Sequence, residues 1–275
     1  RTGKSSGSVQ EVRKVKIETA INFMLYTLME VTLNDLDKDG NPVKREYYIE
    51  KAVRRAYRDA SSHVLSIEEG EGARKNPCIK EQAISRVVQE IEMISKYNDY
   101  KSWHEHVCKE ILTEGIYKKD HVAYKENDRE FSYGIAQKLV NMAIKYLAVL
   151  YTVMIDIGTD KVNRDYIKFY EENLKKYEQN FHVPIDGYIL EGVWNPDENH
   201  EFNSDDKAKI LECVITEGKK YSGKFSSDKV KAWSKWDDKN NYEPFQTELM
   251  DKIKKVDENP LDWESETWIK LTHSS

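Results

Sequence analysis

The chain has 275 residues, a formal net charge of -6, and 33% charged against 39% hydrophobic residues. This length supports a core for one large domain or two small ones, and the acidic balance excludes binding to nucleic acid by net charge alone. With 12 Gly and 6 Pro, turn-forming residues are too few for a many-stranded β architecture.

The opening stretch, residues 1–10 (RTGKSSGSVQ), is small, polar and basic without an apolar centre. It reads as a disordered tail and not as a secretory signal. Apolar residues at helical spacing then predict a helix over 9–33, a polar loop over 34–42 and a second helix over about 46–65. The Gly- and charge-rich run 68–77 is a loop ended by Pro77. Helices follow near 79–96 and 100–113, then a polar connector, then the most apolar stretch at 135–157. No run of about 18 apolar residues stands out, so no membrane span and no membrane partner are expected. Residues 160–180 read as a polar helix, 181–190 as a compact turn-bearing segment, and 206–220 and 242–256 as further helices. The pattern is all-α: an N-terminal helical lobe over 11–130 and a second helical lobe over 131–275. Cys78, Cys108 and Cys213 are odd in number and form no CxxC pair, which fits a reducing, cytoplasmic setting without a disulfide framework.

Two segments carry the functional reading. In Ser132-Tyr133-Gly134-Ile135-Ala136-Gln137-Lys138-Leu139-Val140-Asn141, a glycine precedes a strongly apolar helix, and Lys138 falls within its first turns. Backbone N–H groups at such a helix start can cradle a phosphate. In Val183-Pro184-Ile185-Asp186-Gly187, a carboxylate stands among apolar neighbours at a turn. An amine beside a carboxylate is the minimum equipment for attack at a sugar carbon, the amine as nucleophile and the acid stabilising the cation that develops. Taken singly, Lys138 is an ordinary lysine at a helix start and Asp186 an ordinary N-cap.

Gly134-Ile135-Ala136-Gln137-Lys138 resembles the Gly-Val-Gly-x-Lys hairpin of helix-hairpin-helix DNA glycosylases, and Pro184-Ile185-Asp186 resembles their Pro-Val-Asp turn. The resemblance implies two all-α lobes with a helix-hairpin-helix-like element and a substrate base flipped between them. It implies Lys138 as Schiff-base nucleophile, Asp186 as catalytic carboxylate, and Gly134, Gln137 and Asn141 as nucleic-acid contacts. Ala136 departs from the pattern where a second glycine would allow close phosphate approach. Lys138 and Asp186 lie 48 positions apart, and the archaeal 8-oxoguanine glycosylase branch, with its longer intervening segment, is the nearer comparison.

Other constellations are weaker. Asp35, Asp37, Asp39 and Glu46, with Gly40 between, have calcium-loop spacing, but Pro42 stands where a backbone N–H normally pairs with a partner loop, so an acidic turn is the expectation. Arg58 and His63 match the R-x4-H pattern of HEPN ribonucleases, in which histidine acts as general acid or base. His104 and Cys108 share a helix face, but His106 does not, and no second pair completes a zinc site. Trp233, Trp236, Trp263 and Trp268 at irregular spacing read as core anchors. The leading expectation is a protein that excises or binds a modified DNA base without a cofactor. A HEPN-like ribonuclease and a non-catalytic helical interaction protein are the alternatives.

Overall fold

In the computed structural model, which describes residues 16–61, 78–113, 132–158, 162–194 and 233–274, the apolar periodicity is realised as nine α-helices among those residues. They are α1 (Ile17–Met29), α2 (Arg45–Ser61), α3 (Cys78–Glu92), α4 (Tyr100–Thr113) and α5 (Tyr133–Ile157). After these come α6 (Arg164–Asn173), α7 (Gly187–Trp194), α8 (Glu243–Lys255) and α9 (Pro260–Ser274). Among the described residues no strand forms; Leu36 and Pro42 make one isolated antiparallel bridge. The all-α expectation holds.

The chain is organised on α5. Ser132 starts it, its hydroxyl oxygen accepting from the Ile135 N–H at 3.2 Å, and Gly158 ends it with a left-handed φ of 58° that only glycine adopts without strain. Apolar residues occupy most of its circumference, and Ile135, Leu139, Val140, Ile144, Leu147, Leu150 and Met154 are all buried. Its most extensive partner is α2, whose Ala52, Ala56 and Ala60 recur every four residues and are buried. Small side chains at that spacing let two helices approach closely. Each large aliphatic side chain so buried stabilises the fold by about 1.5–3 kcal/mol relative to exposure. One buried apolar cluster runs from Leu25 to Trp263, so the described parts of 11–130 and 131–275 share a core.

Polar pins fix the periphery. Asn163 caps α6 by accepting from Tyr166 N–H at 2.9 Å, and its amide donates to the Val43 carbonyl at 2.7 Å. Its own N–H bonds the Leu33 carbonyl, so one residue holds the 31–44 loop against α6. The Tyr166 hydroxyl donates to the Leu147 carbonyl at 2.6 Å, tying α6 to α5.

Several expectations are corrected. The helix expected over 9–33 ends at Glu30, which turns left-handed at φ 58°, and residues 9–15 lie outside the described ones, as do 1–10. The helix expected over 160–180 is two pieces, α6 and a 3-10 turn at Lys175–Asn180, with fully buried Leu174 at the break. The helix expected over 206–220 lies outside the described residues, while α9, not anticipated, buries Trp263. Contrary to the sequence reading, α5 is long and apolar enough, by length and composition, to cross a membrane; half of its most apolar window is buried inside the protein. Gly134 to Lys138 form helix and not a turn, and residues 114–131, where a hairpin partner would fall, are outside the described ones.

The entry to α5 is roofed by the segment 233–236. Gly134 N–H donates to the Trp236 carbonyl at 3.1 Å, and the Ser132 hydroxyl donates to the Ser234 carbonyl at 2.6 Å. A Cβ at position 134 would stand 1.8 Å from the Trp233 carbonyl oxygen. Gly134→Ala gains about 1 kcal/mol of helix propensity, but the backbone collision outweighs it. The expected net loss is about 2 kcal/mol, read as a lower urea midpoint. Gly187→Ala, where nothing lies within 4 Å of the added carbon, serves as control and leaves the midpoint unchanged or raised.

Candidate functional site

The residues between the 3-10 turn and α7 lie alongside the first turns of α5, held by two buried amides. Gln137 Nε2 donates to the Ile185 carbonyl and Asn141 Nδ2 to the Val183 carbonyl, each at 3.3 Å. This brings Asp186 to Lys138: Nζ and Oδ2 are 3.3 Å apart, with side chains only 11% and 17% exposed. The other carboxylate oxygen accepts from Ile189 N–H at 3.1 Å, capping α7. The Lys138 ammonium also lies 4.7 Å from the centre of the Trp233 ring, within cation–π range. One heptad along α5, Lys145 pairs with the buried Glu264. Burial raises the Glu264 pKa, Lys145 opposes that rise, and the Asp186 charge adds to it. The two lysines and two acids form one connected, partly buried charge cluster.

The other residues singled out in the sequence are not assembled in this way. Gly134, Gln137 and Asn141 are buried with their polar groups turned inward, so none reaches a nucleic-acid backbone. The amide that a phosphate would need at Gly134 is occupied by Trp236. Arg58 is half-exposed and 3.7 Å from Glu30, and His63 lies outside the described residues. The calcium spacing does not become a cage. The Asp35 carboxylate accepts from Thr32 N–H and hydroxyl, Asp37 accepts from the N–H groups of Asp39 and Asn41, and Glu46 faces Arg45 at 3.5 Å. No group of three or more His, Cys, Asp or Glu side chains gathers for a metal among the described residues.

A second polar assembly was not anticipated. Where α4, α8 and the residues 180–182 meet, a cavity of about 530 Å³ opens, lined at its base by Tyr100, His104, Tyr133, His182, Tyr242 and Gln246. The Tyr242 hydroxyl is its hub, 2.9 Å from His182 Nδ1, 3.4 Å from His104 Nε2 and 3.0 Å from the Asn141 amide that donates to it. The ring of Tyr242 stacks on His104 at 5.5 Å and 16°. Burial lowers the pKa of His104 to about 3, against a partial opposing effect of Asn141, and holds His182 well below its ordinary value. Both imidazoles are therefore neutral near pH 7, each offering one donor and one acceptor. Burial also raises Asp238 at the cavity wall. Neither Lys138 nor Asp186 lines this cavity.

Sequence reasoning saw His104 only as half of an incomplete zinc pair and passed over His182, Tyr242 and Gln246. Their spacing, 138 positions from His104 to Tyr242, leaves no local pattern. The one available signal is polar residues inside apolar helical runs, such as Asn141 in α5. No protein-family model matches this chain, and neither a curated protein nor a solved structure was found to match it.

His104 links stability to pH with a definite sign. An unfolded histidine takes up its proton near pH 6.5, whereas native His104 does so only near 3. The contribution is fully present above 6.5 and is lost as pH falls toward 3. Over that window the wild type should lose about 1.4 kcal/mol per pH unit more than His104→Gln, measured by urea unfolding. Parallel pH profiles would show that the native imidazole is protonated.

Proposed function

We propose that the chain acts on a modified DNA base as a glycosylase-like enzyme, with Lys138 as nucleophile and Asp186 as its carboxylate partner. The observation that carries this reading is the 3.3 Å contact between the two side chains across 48 positions of sequence. It is supported by the rigid mounting of both groups. Lys138 rises from a buried helix, and Asp186 is locked by its cap to α7, and such fixed geometry is what proximity catalysis requires. Attack needs the neutral amine, and Asp186 is the base within reach of its proton. The Nζ lone pair then bonds to the sugar C1′ as the glycosidic C–N bond breaks, its electron pair leaving with the base, which takes up a proton. The proton that Asp186 took from the amine is the one the base takes up. The carboxylate so restored accepts a second Nζ proton and passes it to O4′ as the ring C1′–O4′ bond opens, which leaves a protonated imine between Lys138 and the sugar. The Asp186 carboxylate, with Glu264 beyond it, supplies negative charge against the cationic sugar. Phosphate holding is assigned to no residue of the α5 entry, because those amides are internally bonded.

Sodium borohydride reduces such an imine to a stable secondary amine. The full chain, incubated with duplexes carrying 8-oxoguanine or an abasic site, should give a covalent adduct on denaturing gels. Lys138→Gln should give none. Asp186→Asn should slow adduct formation by about 100-fold or more with little change in stability, since asparagine caps a helix about as well as aspartate. Absence of any wild-type adduct across both duplexes sinks the enzyme reading. So does an Asp186→Asn protein that unfolds more easily yet reacts normally, which would leave the pair as a structural latch.

A further inference from the structure

The cavity between α4 and α8 has a composition that selects a ligand class. Gln246 lines it, is 2% exposed, and neither its amide nitrogen nor its oxygen has a hydrogen-bond partner. A buried donor or acceptor left unmade is costly, so this carboxamide favours a ligand that offers it a matched donor and acceptor. Tyr100, Tyr133 and Tyr177, all buried, add aromatic lining. The imidazoles of His104 and His182 and the Tyr242 hydroxyl add neutral hydrogen-bonding groups at the base. Around this base, carboxylates outnumber lysines five to three. One of the lysines, Lys101, is already bound to Glu243 at 2.5 Å. An anion entering here meets a net repulsive field.

We propose that this cavity binds a planar, uncharged heteroaromatic molecule of the nucleobase or nucleoside class, with Gln246 reading an adjacent donor–acceptor edge. Glutamine pairs in this bidentate manner with the amino group and ring nitrogen of a purine. The aromatic lining gives the ring apolar contact, as is usual in small-molecule sites. The volume is within the range of small-molecule sites. The excess of carboxylates sets the base or nucleoside apart from the corresponding nucleotide, whose phosphate is disfavoured. The site involves neither Lys138 nor Asp186, so it stands or falls separately from the covalent chemistry proposed above.

Isothermal titration of the full chain with adenine, guanine, adenosine, guanosine and adenosine 5′-monophosphate tests this directly. At least one base or nucleoside should bind saturably, and the monophosphate should bind at least about tenfold more weakly than adenosine. Gln246→Leu keeps the side-chain volume and removes two unpaired polar atoms, so it should match or exceed the wild type in thermal stability while losing about tenfold or more in affinity. Should that variant fail to fold, His182→Asn, at the partly exposed side of the base, carries the same expectation of weakened binding. The proposal is overturned by no saturable binding among the four bases and nucleosides, by equal affinity for the monophosphate, or by a folded Gln246→Leu that binds like the wild type.

Discussion

The entry of α5 and what it holds depend on the absence of a side chain at Gly134. Because nothing projects there, the carbonyls of 233–236 close over the start of α5, and the helix can begin inside the protein instead of at its surface. That buried start turns Gln137 and Asn141 inward, where they hold the carbonyls of Val183 and Ile185. Those two bonds deliver Asp186 to Lys138, and the same Asn141 amide reaches the Tyr242 hydroxyl. About two helical turns therefore organise both the charge pair and the base of the cavity.

The first turns of α5 show how hydrogen-bond accounting decides between competing roles. A helix start presents unsatisfied N–H groups, which serve equally for an anion or for the protein's own carbonyls. Here Trp236 and Ser132 take them, and the phosphate-cradling role is closed to Gly134 although the lysine four residues on keeps its carboxylate neighbour. The two halves of the sequence motif thus differ in their partners although both meet Trp233: the glycine lies under its carbonyl, and the lysine lies by its ring and pairs with Asp186.

What was legible in the sequence follows from what is local. The 3.6-residue repeat in α2 and α5 marks both helices, because their burial is set by side chains three and four apart. The ends were less legible: α1 stops at Glu30 in a left-handed conformation that its composition does not announce, and the break at Leu174 answers to burial of that one side chain. The Lys138–Asp186 contact was legible only as two short patterns in the right order. The cavity was not legible at all, since His104, His182 and Tyr242 meet through three separate elements, and each taken singly reads as an ordinary core aromatic. The spacing of Asp35, Asp37 and Asp39 misled in the opposite direction, because the same carboxylates that suit a cation also satisfy the N–H groups of a tight loop.

The roof over α5 has a consequence for how the chain comes into being. The bond from Ser132 to Ser234 joins residues 102 positions apart, and that from Asn141 to Tyr242 joins residues 101 apart. During ribosomal synthesis the apolar entry of α5 therefore emerges long before its cover, and must wait some hundred residues with Ile135, Ala136 and Leu139 incompletely enclosed. Closure of so long a loop is paid in chain entropy before any contact rewards it. The nascent chain is thus exposed to off-pathway association over that interval, until residues 233–242 arrive to seal the entry of α5.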